Sequence, residues 1–73
     1  MPHVIIKMIS GRPDKLKKEL AEEITQVIMK HTGNKEDDVS VSIEDIPRGN
    51  WTEKVYNVDI VPAWDKLYKK PGY

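Results

Sequence analysis

The chain has 73 residues, twelve basic against twelve acidic side chains, and no cysteine. We therefore expect residues 1–73 to form a single small domain without disulfides, and the balanced charge argues against nucleic-acid binding. With two histidines and no Cys–His cluster, a structural metal is not expected, so oligomerisation is the remaining way to stabilise so short a chain.

The first predicted element is a β-strand over residues 3–9, "HVIIKMI". Alternation places Val4, Ile6 and Met8 on one apolar face of this strand. The other face carries a mixture of polar and apolar side chains. Pro2 directly precedes the strand. Proline offers a sheet no N–H donor, but it is tolerated at a strand start.

An amphipathic helix is predicted next. The stretch "SGRPD" (10–14) ends the strand, and Pro13 suits the first position of a helix. Gly33 fits the left-handed position that follows a helix. Apolar positions recur between them at spacings of three and four residues, which is the pattern of a half-buried helix. They are Leu16, Leu20, Ala21, Ile24, Val27, Ile28 and His31.

A second strand is predicted over residues 38–45, "DVSVSIED", with Val39, Val41 and Ile43 facing inward. A strand, a helix and a strand in this order predict an α+β fold built on a right-handed β-α-β unit with parallel strands.

The C-terminal part is predicted to be helical in two stretches. Trp51, Val55 and Val58 have helical spacing after the turn-rich loop "IPRGNW" (46–51), and Pro62 interrupts the pattern. A second helical stretch is predicted to run up to Lys70. This prediction is based on the helical spacing of Ile60, Trp64, Leu67 and Tyr68.

The predicted sheet would be incomplete in one copy. Two strands under one helix leave both edges and the second face open, which invites pairing with another copy. We therefore expect at least a homodimer whose sheets join or pack together, with the C-terminal segments crossing the interface.

The order of these features resembles the 4-oxalocrotonate tautomerase family. The features are Pro2 after Met1, a short strand, a "GR" turn into a helix, a parallel strand and the loop "PRGNW". The C-terminal stretch "VDIVPAWDKLYKKPGY" is similar to the dimeric phenylenolpyruvate tautomerase branch, so a dimer is favoured over a hexamer. The resemblance covers essentially the whole chain and implies a tautomerase-like fold.

The resemblance implies roles for three residues. Pro2, exposed by removal of Met1, would be the catalytic base. Arg12 would bind the substrate carboxylate, and Trp51 would wall the pocket. Ser40 stands where some members carry a second arginine in the middle of the second strand, which favours a monoacid such as an aryl enolpyruvate. Arg48 in the neighbouring loop is a possible substitute for that arginine.

Elementary chemistry is compatible with these roles. An unblocked α-amino group has a pKa of about 7.7–8.0, and an apolar pocket or a nearby cation such as Arg12 favours its neutral form. A base tuned near the working pH suits proton transfer. We therefore expect a keto–enol tautomerase that needs no cofactor and acts on a small carboxylated enol.

Alternative interpretations remain. The same proline, protonated, could serve a hydratase or dehalogenase of unsaturated acids, or the chain could be a non-catalytic dimer that binds a small acid or a protein. Taken alone, Arg12 is also compatible with a solvated cation at a helix start, and Trp51 with a core or interface residue.

The sequence also bears on the compartment. The N-terminal stretch has no long apolar segment behind a basic one, so no secretory signal is expected. No apolar run approaches the roughly 18 residues of a membrane span. A cytoplasmic protein without membrane or nucleic-acid partners is the resulting expectation.

Overall fold

The computed structural model describes all residues, 1–73, and its core unit is strand, helix, strand. Strand β1 spans His3–Ile9, helix α1 spans Asp14–Thr32 and strand β2 spans Ser40–Ile46. The two strands are parallel and pair residue for residue along their whole length. The predicted β-α-β unit with parallel strands is therefore confirmed.

The ends of the elements follow local chemistry. Pro13 caps α1 from an extended conformation (φ −70°, ψ 155°) and is not its first residue as predicted. Gly33 ends α1 with φ 75°, the left-handed conformation predicted for it. Strand β2 begins two residues later than predicted, because Glu36–Asp38 forms a 3₁₀ turn in which the Asp38 carboxylate accepts the Lys35 N–H at 3.2 Å.

The C-terminal part is helical only in its first half. A 3₁₀ turn, Arg48–Asn50, leads into a helix at Thr52–Ile60 whose hydrogen bonds join residues five apart, as in a π-helix. The second helical stretch predicted up to Lys70 is wrong, since a single 3₁₀ turn at Trp64–Lys66 is all that forms there. Pro62 has no N–H to continue the helix, and the chain turns instead.

The sheet carries a different layer on each face. Helix α1 packs against β2, and Lys17 donates to the carboxylate of Asp45. On the opposite face, Lys7 of β1 donates to Asp59 of the C-terminal helix at 2.5 Å. Since side chains alternate along a strand, α1 covers one side of the sheet and the C-terminal helix lies over part of the other.

The interior of one copy is small. Only Ile46 and Val55 are fully buried, with 2% and 4% of their surface exposed, and none of the α1 side chains is fully buried. Ile5 on β1 and Val58 on the C-terminal helix remain 63% and 57% exposed. A single copy therefore leaves much of its apolar surface uncovered, which fits the expectation that copies associate.

Helix α1 also carries many charges on its outer side. One of its ion pairs, Lys18 with Asp14 at 3.4 Å, is largely exposed and contributes little to stability.

No helix of the structure combines the length and the apolar content that crossing a bilayer requires.

Ile46 contributes most to this small interior, so its truncation should be costly. Ile46→Ala should lower the free energy of unfolding by about 2–4 kcal/mol, because it removes buried methyl groups and leaves a cavity. Urea unfolding at one fixed protein concentration measures this loss. Val27, 51% exposed on α1, is the matched control, and Val27→Ala should cost about 0.5 kcal/mol or less. Equal losses in the two variants would contradict this account of the interior.

The Lys7–Asp59 pair makes stability depend on pH at the alkaline end. The hydrogen bond to Asp59 and the charges of Asp59 and Glu44 hold the pKa of Lys7 above its usual 10.5, against a smaller effect of desolvation. Because the folded-state pKa of Lys7 is raised, the pair stabilises the fold fully at pH values below the usual lysine pKa, and this contribution is lost as the pH rises through the folded-state pKa.

Lys7→Met should therefore remove part of the alkaline loss of stability. The urea midpoint of the wild type should fall more steeply than that of Lys7→Met above about pH 10. Lys54, exposed and outside any ion pair, supplies the control variant Lys54→Met, which should follow the wild type. Identical slopes for all three proteins would show that the Lys7–Asp59 pair does not couple folding to this titration.

Candidate functional site

Pro2 is held at the N-terminal end of β1. Its carbonyl accepts a hydrogen bond from the N–H of Ser40 at 3.2 Å, so the sheet ladder extends one residue beyond the strand. The ammonium group of Met1 donates to Asn34 Oδ1 at 3.3 Å. With Met1 attached, the Pro2 nitrogen is an amide and is not basic. Removal of Met1 would leave an amine on a residue that β2 already anchors.

Ser40 also binds the side chain next to Pro2. Its hydroxyl lies 2.6 Å from Nδ1 of His3, which is exposed on the same end of β1. Ser40 is the first residue of β2, not in the middle of the strand as the comparison with a second family arginine assumed. This end of the sheet therefore carries Pro2, an imidazole and a hydroxyl, but no guanidinium.

Both arginines of the chain lie near the opposite end of β1. Arg12 donates from Nη1 to the carbonyl of Ile9 at 2.9 Å, and Arg48 lines a cleft beside the same Ile9. They are the only two arginines in the sequence. Neither takes part in an ion pair. Two uncompensated positive charges therefore flank this end of the strand, an arrangement that suits an anionic ligand.

Trp51 stands between two cavities at this end of the molecule. With Ile9, Arg48 and Tyr73 it lines a cleft of about 300 Å³. A second cavity of about 480 Å³ lies along the open sheet face. It is lined by Trp51 together with Ile5, Lys7, Val55, Asp59 and Ile60. The indole N–H of Trp51 donates to the hydroxyl of Tyr73 at 3.2 Å, so this ring has a fixed polar partner.

The three residues singled out from the sequence do not all meet in one copy. Arg12 and Trp51 both lie near Ile9, whereas Pro2 lies beyond the other end of β1. Six residue steps at about 3.3 Å place the ends of the strand about 20 Å apart. The expected cation beside Pro2 is therefore absent within one copy, and only a second copy can bring Arg12 there.

Two residues of this cleft were weighted too little or missed from the sequence. Arg48 was predicted only as a substitute for a strand arginine, although it is the only other arginine and lies three residues before Trp51. Tyr73 was quoted only as the end of the C-terminal stretch that resembles the dimeric branch, and no role was predicted for it. It is 22 positions from Trp51, and only the folded chain brings the two together.

Comparison of the sequence with known families gives a direct match. The model of the tautomerase family, described as "Tautomerase enzyme", matches residues 2–55, which is more than half of the chain. A probable tautomerase from Xylella fastidiosa is 42% identical over 73 residues, spanning 100% of this chain and 89% of that protein. Tautomerase PptA from Cronobacter sakazakii is 39% identical over 74 residues, spanning 100% of this chain and 97% of its own length.

Solved structures agree with the sequence comparison. A 4-oxalocrotonate tautomerase isozyme from Methylibium petroleiphilum superposes with a TM-score of 0.67 at 36% identity, over 68% of this chain and 81% of that one. A putative 4-oxalocrotonate tautomerase from Staphylococcus aureus gives a TM-score of 0.61 at 35% identity, over 63% and 74% of the two chains. The fold expected from the family resemblance is confirmed. The chain belongs to the tautomerase family and is an isomerase.

Proposed function

We propose that the protein is a cofactor-independent keto–enol tautomerase acting on a small carboxylated enol similar to phenylenolpyruvate. Pro2, freed by removal of Met1, is the general base. The observation that carries the proposal is that β1 holds Pro2 at one end and the unpaired Arg12 beside the Trp51 cleft at the other. A base and an anion-binding aromatic cleft are the two parts that this reaction needs.

The proposal requires two copies, and the free edge of β1 supplies a way to join them. The sheet order is β1–β2, so β1 has one edge without a partner strand. A two-fold axis through Ile6 would pair the two β1 strands antiparallel. Residue 2 of one copy would then lie opposite residue 10 of the second copy, two residues before Arg12. Base and cation would meet there, in two equivalent sites per dimer.

The reaction moves one proton and needs no redox partner. The neutral amine of Pro2 removes the proton from the enol oxygen, which leaves an enolate with its C=C bond intact. The resulting ammonium then gives up that proton to the third carbon: the C=C electron pair forms the new C–H bond, an oxygen lone pair forms the C=O bond, and the N–H bond pair returns to the amine. Positive charge from Arg12 of the second copy favours the neutral amine and stabilises the enolate that forms between the two steps.

Arg12 and Trp51 would hold the substrate during this transfer. A guanidinium can bind a carboxylate through two parallel hydrogen bonds, and the start of α1, two residues further along, also favours an anion. The indole of Trp51 offers a flat apolar surface to an olefinic or aromatic group.

Replacement of the base should abolish most of the activity. Pro2→Ala should lower kcat for phenylenolpyruvate ketonisation by about 10²- to 10⁴-fold, since that is the usual contribution of a general base. Absorbance spectroscopy follows the reaction, and mass spectrometry verifies that Met1 is absent. Pro62→Ala, a change in an exposed turn, is the control and should keep wild-type turnover. Wild-type rates in verified Pro2→Ala protein would contradict the assigned base.

A mixing experiment tests the shared site. Arg12→Ala should mainly raise KM, because it removes the partner of the carboxylate, whereas Lys15→Ala on the outer side of α1 should not. At substrate concentrations well below the wild-type KM, equal amounts of Pro2→Ala and Arg12→Ala protein that are unfolded and refolded together should regain about a quarter of wild-type activity, since half of the pairs are mixed and each holds one intact site. Activity equal to the average of the separate variants would mean that each site belongs to one copy.

A further inference from the structure

We propose that Tyr73 is a positioning residue that fixes the ring of Trp51 and forms one wall of the open cleft beside it, so that the cleft accepts the flat apolar end of a carboxylated ligand. The inference builds on the proposed function, because it names what selects an aryl substrate at that site. It concerns the cleft lined by Ile9, Arg48, Trp51 and Tyr73, which needs no contribution from Pro2.

Tyr73 makes three contacts with the elements around the cleft. Its hydroxyl accepts the indole N–H of Trp51 at 3.2 Å. Its ring packs at 35° on the ring of Tyr56, with the centroids 5.7 Å apart, a favourable geometry for two aromatic side chains. Its carbonyl accepts the hydroxyl of Tyr56 at 3.4 Å. Together these contacts return the last residue of the sequence to the helix that begins after Trp51.

The hydrogen bond matters because Trp51 lines two cavities. Its indole has one donor, and Tyr73 is the partner that this donor has in the structure. The bond therefore favours one orientation of the indole ring, in which the ring forms a wall of the cleft. Without it, the ring would be free to lean toward the larger cavity over Ile5 and Lys7. Tyr73 thereby sets the shape of the cleft from outside residues 2–55, the part of the chain that the family model matches.

The chemistry of the cleft indicates its ligand. Ile9, Trp51 and Tyr73 provide apolar and aromatic surface, and Arg48 brings a positive charge without a carboxylate partner. An apolar cavity of about 150 Å³ is enough to bind benzene. The cleft, at about 300 Å³, has room for a phenyl ring with a short acid chain. An aryl-substituted carboxylic acid fits this combination better than a small aliphatic one.

Equilibrium binding of two acids that do not react tests the inference. Cinnamate carries a phenyl ring, and crotonate carries a methyl group in its place. Trp51 emission in a Trp64→Phe background reports binding of either acid. Tyr73→Ala should weaken cinnamate binding by about tenfold, the effect of losing an aromatic wall and one hydrogen bond, and should change crotonate binding less than twofold.

Two further variants separate positioning from a general effect on the fold. Tyr73→Phe should weaken cinnamate binding by about threefold and shift Trp51 emission, because the aromatic ring remains while the hydroxyl acceptor that orients the indole is lost. Tyr68, fully exposed in the same C-terminal segment, supplies the control Tyr68→Ala, which should leave emission and affinity unchanged. In turnover of phenylenolpyruvate, Tyr73→Ala should raise KM more than it lowers kcat.

The outcomes distinguish this inference from the proposed function. Equal weakening of both acids, or unchanged cinnamate affinity in Tyr73→Ala, overturns the role of Tyr73 even when the wild type is an active tautomerase. Selective loss of cinnamate in a protein that does not ketonise enols supports the role of Tyr73 and contradicts the proposed reaction. A urea midpoint that falls in Tyr73→Ala together with equal weakening of both acids would assign the residue to stability alone.

Discussion

The parallel hydrogen-bonded ladder between β1 and β2 is the constraint on which the arrangement of the molecule depends. It runs in register from His3 to Ile9, and the Ser40 N–H extends it to Pro2. A paired strand is extended and stiff, so the residues at its two ends cannot approach each other. Because α1 begins soon after β1, Arg12 must lie at the far end from Pro2. The proposed site is therefore shared between copies, and the small interior of one copy is consistent with that association.

Much of the fold could be predicted because it rests on local periodicity. Alternation along β1 and three-to-four spacing along α1 each bury one face, and these patterns are visible without any tertiary information. Gly33 was predictable from local chemistry as well, since glycine readily adopts the left-handed conformation that it has at the end of α1. Pro2, Arg12 and Trp51 were predicted as site residues from the family resemblance, and the structure places Arg12 and Trp51 near one end of β1.

The parts that escaped prediction depend on tertiary contacts or on unusual backbone geometry. Hydrogen bonds at Thr52–Ile60 join residues five apart, which the ordinary helical spacing of Trp51, Val55 and Val58 does not indicate. The pairs Lys7–Asp59 and Trp51–Tyr73 join residues 52 and 22 positions apart. No local pattern encodes such pairs. They are the contacts that hold the C-terminal segment over the open sheet face and shape the cleft around Trp51.

The alternation of side chains along β1 also limits how the gene for such a protein can change in length. Inserting or deleting one residue in β1 between Pro2 and Lys7 would exchange the two faces of the strand downstream of the change, turning Lys7 and Ile9 toward α1. A change of two residues would restore the faces but would move the arginine by about 7 Å relative to the proline. The number of residues that separates these two ends is therefore expected to tolerate neither insertion nor deletion, even where the individual side chains between them are free to vary.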